Sequence, residues 1–276
     1  MRRAGLVALV VGSAVVTLGF LVLPIAAIFV HTSPGNLLDQ FSRPVVKDAF
    51  AVSVKTSVLA QLLIILFGTP TAFLLATRRF PGHSVAVTLV ELPLVLPPAV
   101  AGVGLLVAFG HAGLLGSSLD AFGVSLPFTQ SAVTIAVAYV ASPLYIRQAI
   151  AAFEATDPNL AAASRTLGAG PLRTFFRVIL PLARGGLFAG LALSFARGLG
   201  EFGATIMFAG SLQHVTQTLP LAIYAEFAVN FTATLAMSCV LVLISVVLLL
   251  GLRIGLTWQT SPSKRSSFLF GPSTSA

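Results

Sequence analysis

Six long apolar stretches constrain what this chain can fold into more than any other feature. Each is long enough to cross a bilayer as a helix, which takes about 20 mostly apolar residues. Only 9% of the 276 residues are charged, whereas a soluble domain carries roughly 25%. This composition disfavours a soluble enzyme, a disordered chain and a disulfide scaffold. The sequence predicts an all-α integral membrane protein with six transmembrane helices, approximately at 5–30, 50–77, 85–110, 128–150, 185–209 and 231–254.

The first stretch follows two arginines, as the apolar core of a secretory signal peptide would. Its apolar run is longer than the roughly 7–15 residues of such a core, and no clear small-x-small cleavage site follows it. We therefore expect a retained helix, and a cleaved signal peptide is the alternative. We treat residues 1–276 as a single transmembrane domain and expect the Ser- and Pro-rich tail, 261–276, to be disordered.

Basic residues are unevenly distributed between the loops on the two sides of the predicted bundle. Cytoplasmic loops carry an excess of Lys and Arg, so this asymmetry predicts a multi-pass protein of the cell membrane with both termini in the cytoplasm. The outer side would hold only Arg43, Lys47 and Lys55. The cytoplasmic side would hold Arg2, Arg3, Arg78, Arg79, Arg147, Arg165, Arg173, Arg177, Arg184, Arg253, Lys264 and Arg265. The net charge of +8 follows mostly from this bias, and we expect no nucleic-acid partner.

We find no residue pattern that predicts catalysis, a metal site or a cofactor. The loop histidines His31, His111 and His214 have no acid or second histidine at ligand spacing, which indicates solvated side chains rather than a metal site. No Ser/His/Asp, Cys/His or paired-carboxylate arrangement stands out, and the lone Cys239 excludes an internal disulfide. A phosphate-binding loop is also absent from the sequence, because no lysine follows a glycine. We expect a chain that is not an enzyme and does not hydrolyse ATP by itself.

The longest cytoplasmic connection, 151–184, has the signals of two short helices. Asp157 followed by Pro158 is typical of a helix start. The segment Gly168-Ala169-Gly170-Pro171 must end that helix. A second short amphipathic helix is predicted over 172–179, ending at Leu180-Pro181. Such a pair can form a knob for another protein, and an ordinary interfacial helix pair is the alternative.

The same connection resembles the "EAA" loop of ABC-transporter importer permeases. In that family E-A-A is followed by three residues, a glycine, nine residues and I-x-L-P. Ala162 stands where the family has Glu, and Val178 replaces the Ile. The resemblance implies that this loop docks into a cleft of an ATP-hydrolysing subunit and transmits its closure. The implied coupling residues are Ala162, Ala163, Ser164, Arg165, Gly168, Arg173, Arg177, Leu180 and Pro181.

Two ionisable residues lie inside the fifth span. Arg197 and Glu201 are four residues apart, so on a helix they share a face and can form an ion pair. Ionisable groups within spans usually face a bundle interior or a transport pathway. Nearby glycines, Gly198, Gly200 and Gly203, permit tight packing or local unwinding. A buried pair that only holds helices together is the alternative.

The third span contains three prolines, Pro93, Pro97 and Pro98, which predict a kinked or broken helix. Broken helices commonly line transport pathways, and a kink that only shapes packing is the alternative. Glu91, at the margin of this span, is expected near the cytoplasmic headgroups.

The segments 197–210 (RGLGEFGATIMFAG) and 216–224 (TQTLPLAIY) resemble permease subunits for molybdate and tungstate. The likeness extends over about residues 50–255, and sulfate permeases share its G-E-F-G core. It implies a type I ABC importer permease fold, a homodimeric pore, an extracytoplasmic oxyanion-binding protein and two copies of an ATP-binding subunit. Pathway residues would be Pro97, Pro98, Arg197, Glu201, Gly203, Thr205, Thr216 and Thr218. Alternatives are a sulfate or thiosulfate permease, a stand-alone secondary transporter and an intramembrane enzyme.

Overall fold

A computed structural model describes the backbone of residues 2–32 and 34–259. Every regular element within these ranges is helical, which confirms the predicted all-α class. The predicted tail, 261–276, lies outside the described residues. The helices are α1 (Arg2–Val30), α2 (Pro34–Phe41), α3 (Pro44–Thr77), α4 (His83–Val95), α5 (Pro98–Phe109), α6 (Gly116–Ala121), α7 (Gln130–Glu154), α8 (Pro158–Thr166), α9 (Pro171–Thr174), α10 (Leu180–Leu199), α11 (Gly203–Ala209), α12 (Leu219–Glu226) and α13 (Phe231–Gln259), with a π-helical turn at Phe175–Ile179.

Long apolar helices account for five of the six predicted spans. Each of these five segments is long and apolar enough to cross a membrane without interruption. They are Leu9–Val30, Pro44–Thr77, Gln130–Glu154, Pro171–Leu199 and Phe231–Gly251. The sixth candidate consists of α4 and α5, which are bent by 115° relative to each other. Five apolar spans are thus confirmed, and the bent pair makes six if α4 and α5 together cross the membrane.

Leu96, Pro97 and Pro98 form the break in the third span. The ring of a proline disfavours the helical conformation in the residue before it, and both Leu96 and Pro97 precede a proline. Their ψ angles are accordingly extended, at 134° and 133°. Pro98 then begins α5, a position where its missing N–H leaves no helical bond unmade. The predicted kink is therefore a full change of direction.

The fifth predicted span, 185–209, is wrong at both ends. Helix α10 begins at Leu180 and ends at Leu199. The chain then bends through 200–202 before α11 begins at Gly203. Glycine costs about 1 kcal/mol relative to alanine inside a helix, so the glycines here favour the break over a continuous helix.

Small residues fill the contacts between α3, α7 and α10 at the centre of the bundle. Ala60 and Ala72 in α3 and Ala136 in α7 are fully buried. Gly190 in α10 lies so close to Gln148 that an added Cβ would stand 2.9 Å from the Gln148 Cβ. Within a bilayer, close packing of this kind is a principal source of helix association.

Helix α1 lies at the periphery of the bundle. No residue of its apolar window, Leu9–Val30, is buried inside the chain. A helix that exposes apolar side chains on all sides is stable when lipid tails surround it. The chain therefore needs the bilayer as its solvent.

Two polar contacts show that α3 and α7 run in the same direction. Near their starts, Lys55 Nζ donates a 2.7 Å hydrogen bond to Gln130 Oε1. Near their ends, Arg79 pairs with Glu154 at 3.5 Å. The bundle thus has an arginine-rich end, formed by 78–82 and 155–179, and an opposite end, formed by 31–43, 110–129 and 210–218.

Candidate coupling loop and translocation pathway

The first predicted helix of the 151–184 connection is confirmed as α8. The Asp157 side chain accepts a 2.9 Å hydrogen bond from the N–H of Asn159, and Pro158 occupies the first helical position. The helix ends where Gly168 adopts a φ of +83°, a left-handed conformation that glycine enters without a steric cost. The predicted glycine break is also confirmed.

The second predicted helix does not end at Leu180-Pro181. The chain stays helical from Pro171 to Leu199, with the π turn in between. In that turn the N–H of Leu180 donates to the carbonyl of Phe175, five residues back. A proline ring clashes with the carbonyl four residues before it, and the wider π turn accommodates Pro181 without ending the helix.

The coupling residues named from the sequence cluster at the arginine-rich end. The Ser164 and Thr174 hydroxyls lie 3.1 Å apart and join α8 to α9 across the Gly168 turn. Ala162 and Arg165 line a cavity of about 600 Å³ beside Glu154. Ala163, Arg173, Arg177 and Pro181 are exposed, as is Gly168, while Leu180 is half-buried. We call residues 157–179 the elbow.

Four large apolar side chains of the elbow are exposed, Leu160, Leu167, Leu172 and Phe176. Leu167 is 88% exposed and Leu172 is 75% exposed. Leu167 lies two residues after the exposed Arg165, and Leu172 precedes the exposed Arg173 at the start of the helical segment that continues into α10. An exposed apolar patch rimmed by charges is typical of a surface that contacts another protein.

The predicted Arg197–Glu201 ion pair forms at the break between α10 and α11. Arg197 Nη1 lies 2.8 Å from Glu201 Oε2. The other carboxylate oxygen, Oε1, accepts a 2.8 Å hydrogen bond from the N–H of Ala204 in the first turn of α11. The Glu201 side chain is 1% exposed and that of Arg197 is 34% exposed. The pair therefore fixes the geometry of the break, whether or not it also lines a pathway.

Helices α5 and α11 meet through two glycines. A Cβ on Gly102 would stand 2.6 Å from the carbonyl oxygen of Ala204. A Cβ on Gly203 would stand 2.6 Å from the Cβ of Pro98. No larger residue fits this crossing unless the helices separate. This crossing brings together the broken third and fifth spans, which both contain predicted pathway residues. Pro97 and Pro98 lie on an exposed surface beside it.

The three predicted pathway threonines are all buried, but their hydroxyl groups differ in bonding. The Thr216 hydroxyl oxygen accepts a 2.9 Å hydrogen bond from the N–H of Leu212. The hydroxyl oxygens of Thr205 and Thr218 have no hydrogen-bond partner in the described part of the chain. Buried polar groups are nearly always paired, so these two unpaired hydroxyls are exceptions within the bundle.

A row of buried polar residues on α3 was missed by the sequence reasoning. Ser53, Ser57 and Gln61 are each four residues apart and share one helix face. Gln61 Oε1 accepts a 2.7 Å hydrogen bond from the Ser194 hydroxyl of α10. Polar groups inside a span usually face the bundle interior or a pathway. Their four-residue spacing along a predicted span was the signal that could have identified them.

Two of the loop histidines have carboxylate partners, and their side chains, 64% and 65% exposed, are solvated as expected. His111 Nδ1 lies 2.9 Å from Asp120 Oδ1. His214 Nδ1 lies 2.8 Å from Asp48 Oδ2 at the start of α3. The fold brings these acids close, although neither lies at ligand spacing in the sequence. No set of three potential metal ligands comes together among the residues that the structure describes.

Ser125 completes a hydrogen-bonded row with His111 and Asp120. Its hydroxyl lies 3.2 Å from His111 Nε2, so the order of contacts is that of a hydrolytic triad. The side chains of His111 and Asp120 are, however, 64% and 45% exposed. Such groups act strongly in catalysis only where water is excluded. We interpret the row as a brace for the loop 110–125.

The sequence matches the family model "Binding-protein-dependent transport system inner membrane component" over residues 24–255. The chain belongs to this family. The molybdenum transport system permease protein ModB of Mycobacterium tuberculosis is 39% identical over 232 residues, or 84% of this chain and 88% of that protein. ModB of Escherichia coli K12 is 44% identical over 178 residues, or 64% and 78% of the two chains. The sulfate transport system permease protein CysT of Salmonella typhimurium is 33% identical over 237 residues, or 84% and 86%.

Solved structures support the same assignment for the fold of this transport-system membrane component. A chain of a bacterial ABC transporter involved in alginate import superposes with a TM-score of 0.68 at 16% identity, covering 94% of this chain and 97% of that one. A chain of the methionine ABC transporter MetNI superposes with a TM-score of 0.56 at 19% identity, covering 77% and 94%. The predicted type I importer permease fold and the family resemblance are confirmed.

Proposed function

We propose that this chain is the membrane-spanning permease subunit of an ATP-driven importer for a tetrahedral oxyanion, with molybdate or tungstate preferred over sulfate. The observation that carries the proposal is the identity of 39–44% with molybdenum permeases, compared with 33% for the sulfate permease. The G-E-F-G segment of this chain, 200–203, lies at the break between α10 and α11. The chain is a conduit, and ATP hydrolysis belongs to a separate subunit.

The elbow is the proposed docking site for that ATP-binding subunit. Leu167 and Leu172 supply exposed apolar contacts, and Arg165, Arg173 and Arg177 supply charges that suit acidic groups on a partner. The Ser164–Thr174 contact and the helical continuity into α10 make the elbow a rigid extension of a span. A displacement of the elbow would therefore be transmitted along this helix to the α10–α11 break. This assignment places the arginine-rich end in the cytoplasm.

Two copies of the chain are proposed to enclose the pathway. An apolar groove of about 650 Å³ between α3, α10 and α13 opens to the outside of the single chain. A second copy of the chain or lipid tails can cover such an apolar surface without removing polar groups from water. Two copies would also bind two copies of the ATP-binding subunit, one at each elbow.

The pathway chemistry suits an anion that must pass without being trapped. Molybdate and sulfate are dianions, and a free arginine inside a span would hold them strongly. Arg197 is already paired with Glu201 at 2.8 Å, so its charge is compensated. The unpaired hydroxyls of Thr205 and Thr218 can solvate an oxyanion transiently. Selectivity would then reside mainly in an extracytoplasmic binding protein that delivers the substrate at the opposite end.

Uptake by the reconstituted complex tests the proposal. The permease, its ATP-binding subunit and the binding protein are placed in liposomes, and radioactive molybdate, tungstate and sulfate are supplied with and without internal ATP. We expect ATP-dependent uptake, with molybdate or tungstate taken up in preference to sulfate. Preferred sulfate uptake would support the sulfate alternative. Uptake that follows an ion gradient without ATP would contradict the proposal and support a secondary transporter.

A further inference from the structure

A second apolar groove lies where the elbow meets the membrane-spanning part of α10. It has a volume of about 480 Å³ and opens to the outside of the chain. Residues of α3 between Ile65 and Pro70 line it, as do Leu187 and Leu191 of α10 and Phe176 of the elbow. We call this space the junction groove.

Among the described residues that line the junction groove, Arg184 is the single charged one. The other two polar side chains are those of Thr69 and Tyr145, whose hydroxyl groups lie 2.6 Å apart and bond to each other. Arg184 is exposed, and it forms no ion pair with any carboxylate in the described part of the chain. The groove therefore combines apolar walls with one uncompensated cation.

Arg184 shares a helix face with apolar residues of the groove. Leu180, Arg184, Leu187 and Leu191 follow one another at intervals of four, three and four residues, which places them on one side of α10. Leu191 lies about 10 Å beyond Arg184 along the helix axis, and one leaflet contributes about 15 Å to the hydrocarbon core. A lipid whose phosphate lies at Arg184 can therefore lay an acyl chain along Leu187 and Leu191.

The charges at this end of the bundle favour a lipid over a protein as the occupant. The junction groove adjoins the larger groove, since Phe188 lines both, so a second copy of the chain could approach it. The carboxylates of Glu91 and Glu154 at this end already pair with arginines, and that of Asp157 caps α8. A second copy would thus leave Arg184 without a counter-charge.

We propose that the junction groove binds an anionic phospholipid of the adjacent leaflet, with its phosphate on Arg184 and an acyl chain against Leu187 and Leu191. Basic pockets between spans bind anionic headgroups, and hydrogen bonds between guanidinium and phosphate groups are charge-assisted. The proposal requires only that α3 and α10 lie in a membrane. It is independent of the transported substrate and of the ATP-binding subunit, so it succeeds or fails separately from the proposed function.

Fluorescence quenching by brominated lipids tests the site. Phe188→Trp places a reporter in the groove, and Trp258→Phe removes the only native tryptophan. The full-length chain is reconstituted into phosphatidylcholine vesicles that contain increasing fractions of phosphatidylglycerol, with bromines on the acyl chains of one lipid or the other. We expect the reporter to prefer phosphatidylglycerol about fivefold or more, the gain that one arginine gives near a membrane surface.

A reporter on α1 measures the lipid that surrounds the bundle. Phe20→Trp in the same background replaces a side chain that is 76% exposed, compared with 64% for Phe188. We expect this control to show no preference between the two lipids. Equal quenching by both lipids at position 188 would overturn the proposal. Absence of quenching by either lipid there would also overturn it and would indicate that a second copy fills the groove.

Substitutions of two arginines identify the phosphate contact. Arg184→Gln should abolish the preference for phosphatidylglycerol at position 188. Arg173→Gln removes the same charge from the elbow outside the groove, and the preference should remain. If Arg184→Gln does not fold, Arg184→Lys replaces it: lysine keeps the charge but loses the paired hydrogen bonds to a phosphate, so the preference should be weaker than in the wild type. A preference that neither Arg184 variant changes, or that Arg173→Gln lowers equally, would overturn the assignment.

Discussion

The two carboxylate oxygens of Glu201 contact different helices. Oε2 pairs with Arg197 in the last turn of α10, and Oε1 accepts the N–H of Ala204 in the first turn of α11. A cation near a helix C-terminus and an anion near an N-terminus both interact favourably with the helix dipole. One buried side chain therefore stabilises both sides of the break in the fifth span.

Replacing Glu201 by Gln should destabilise the chain through Arg197. Glutamine keeps an oxygen for the Ala204 N–H but loses the charge that compensates the arginine. Because Glu201 is buried and Arg197 is about one-third exposed, we expect the free energy of unfolding to fall by about 1–3 kcal/mol. Thermal unfolding in detergent measures this. Adding Arg197→Met should restore part of the loss, and a Glu201→Gln variant as stable as the wild type would contradict the argument.

The spacing of Arg197 and Glu201 was sufficient to predict their ion pair, because residues four apart approach each other on any helix. The bond from Glu201 to Ala204 was not predictable in the same way. It exists only because the helix ends at Leu199 and a new one begins at Gly203. The His214–Asp48 contact was hidden for a related reason, since it joins a loop to a distant helix.

At the scale of elements, the broken third and fifth spans depend on one close crossing. Gly102 in α5 faces the backbone of Ala204 in α11, and Gly203 faces Pro98. The glycines were visible in the sequence as sites of tight packing or unwinding. Which glycine meets which helix follows from the 115° bend, and a proline signals a bend without specifying its angle.

Gly102→Ala should force α5 and α11 apart. Its Cβ would stand 2.6 Å from a backbone oxygen and 2.7 Å from the Met207 Cβ. We expect a loss of about 1–3 kcal/mol in unfolding free energy and reduced molybdate uptake. Gly104→Ala is the matched control, because no atom lies within 4 Å of its added Cβ. Equal stability of the two variants would show that the crossing tolerates separation.

The elbow contains a second testable glycine. Gly168 has a φ of +83°, and Gly170, two residues on, has a φ of −67°. Alanine at 168 should cost about 1–2 kcal/mol and weaken binding of the ATP-binding subunit roughly five- to thirtyfold. Alanine at 170 should have little effect. Titration of the purified permease with the ATP-binding subunit measures both, and equal affinities would argue against docking through this turn.

The limits of the sequence are clearest at Leu180-Pro181. A proline usually ends or kinks a helix, so the sequence predicted a stop there. The π turn instead shifts one backbone bond to the residue five positions back, and the helix continues to Leu199. Such a local change in bonding leaves no pattern in hydropathy. Asp157, Pro158 and Gly168, by contrast, act through their own backbone and side-chain chemistry and were predicted correctly.

At the scale of the whole molecule, the family was predicted from its motif segments, and hydropathy and charge predicted the apolar spans and the alternation of the loops. They did so because lipid imposes a length and a polarity on every span. The parallel course of α3 and α7 agrees with the predicted alternation of the loops. Which end faces the cytoplasm remains a prediction from the positive-inside bias.

Single cysteines can determine this sidedness. In a chain carrying Cys239→Ala, Leu114→Cys marks the opposite end and Leu167→Cys marks the elbow. The two native leucines are 84% and 88% exposed, so both thiols should react readily. In intact cells, or in spheroplasts where an outer membrane is present, a membrane-impermeant maleimide should label residue 114. Residue 167 should label only after permeabilisation, and the reverse pattern would invert the predicted topology.

The compensated charge of Arg197 has an electrical consequence. Moving one elementary charge through a membrane potential of 100 mV takes about 2.3 kcal/mol. Because Glu201 neutralises Arg197, a shift of this pair as a unit through the field does almost no electrical work. Import of a dianion against an inside-negative potential takes about 5 kcal/mol per 100 mV. Almost all of this electrical work then moves the charge of the substrate. The ATP-driven step would therefore work against the charge of the substrate and not against charges of the permease itself.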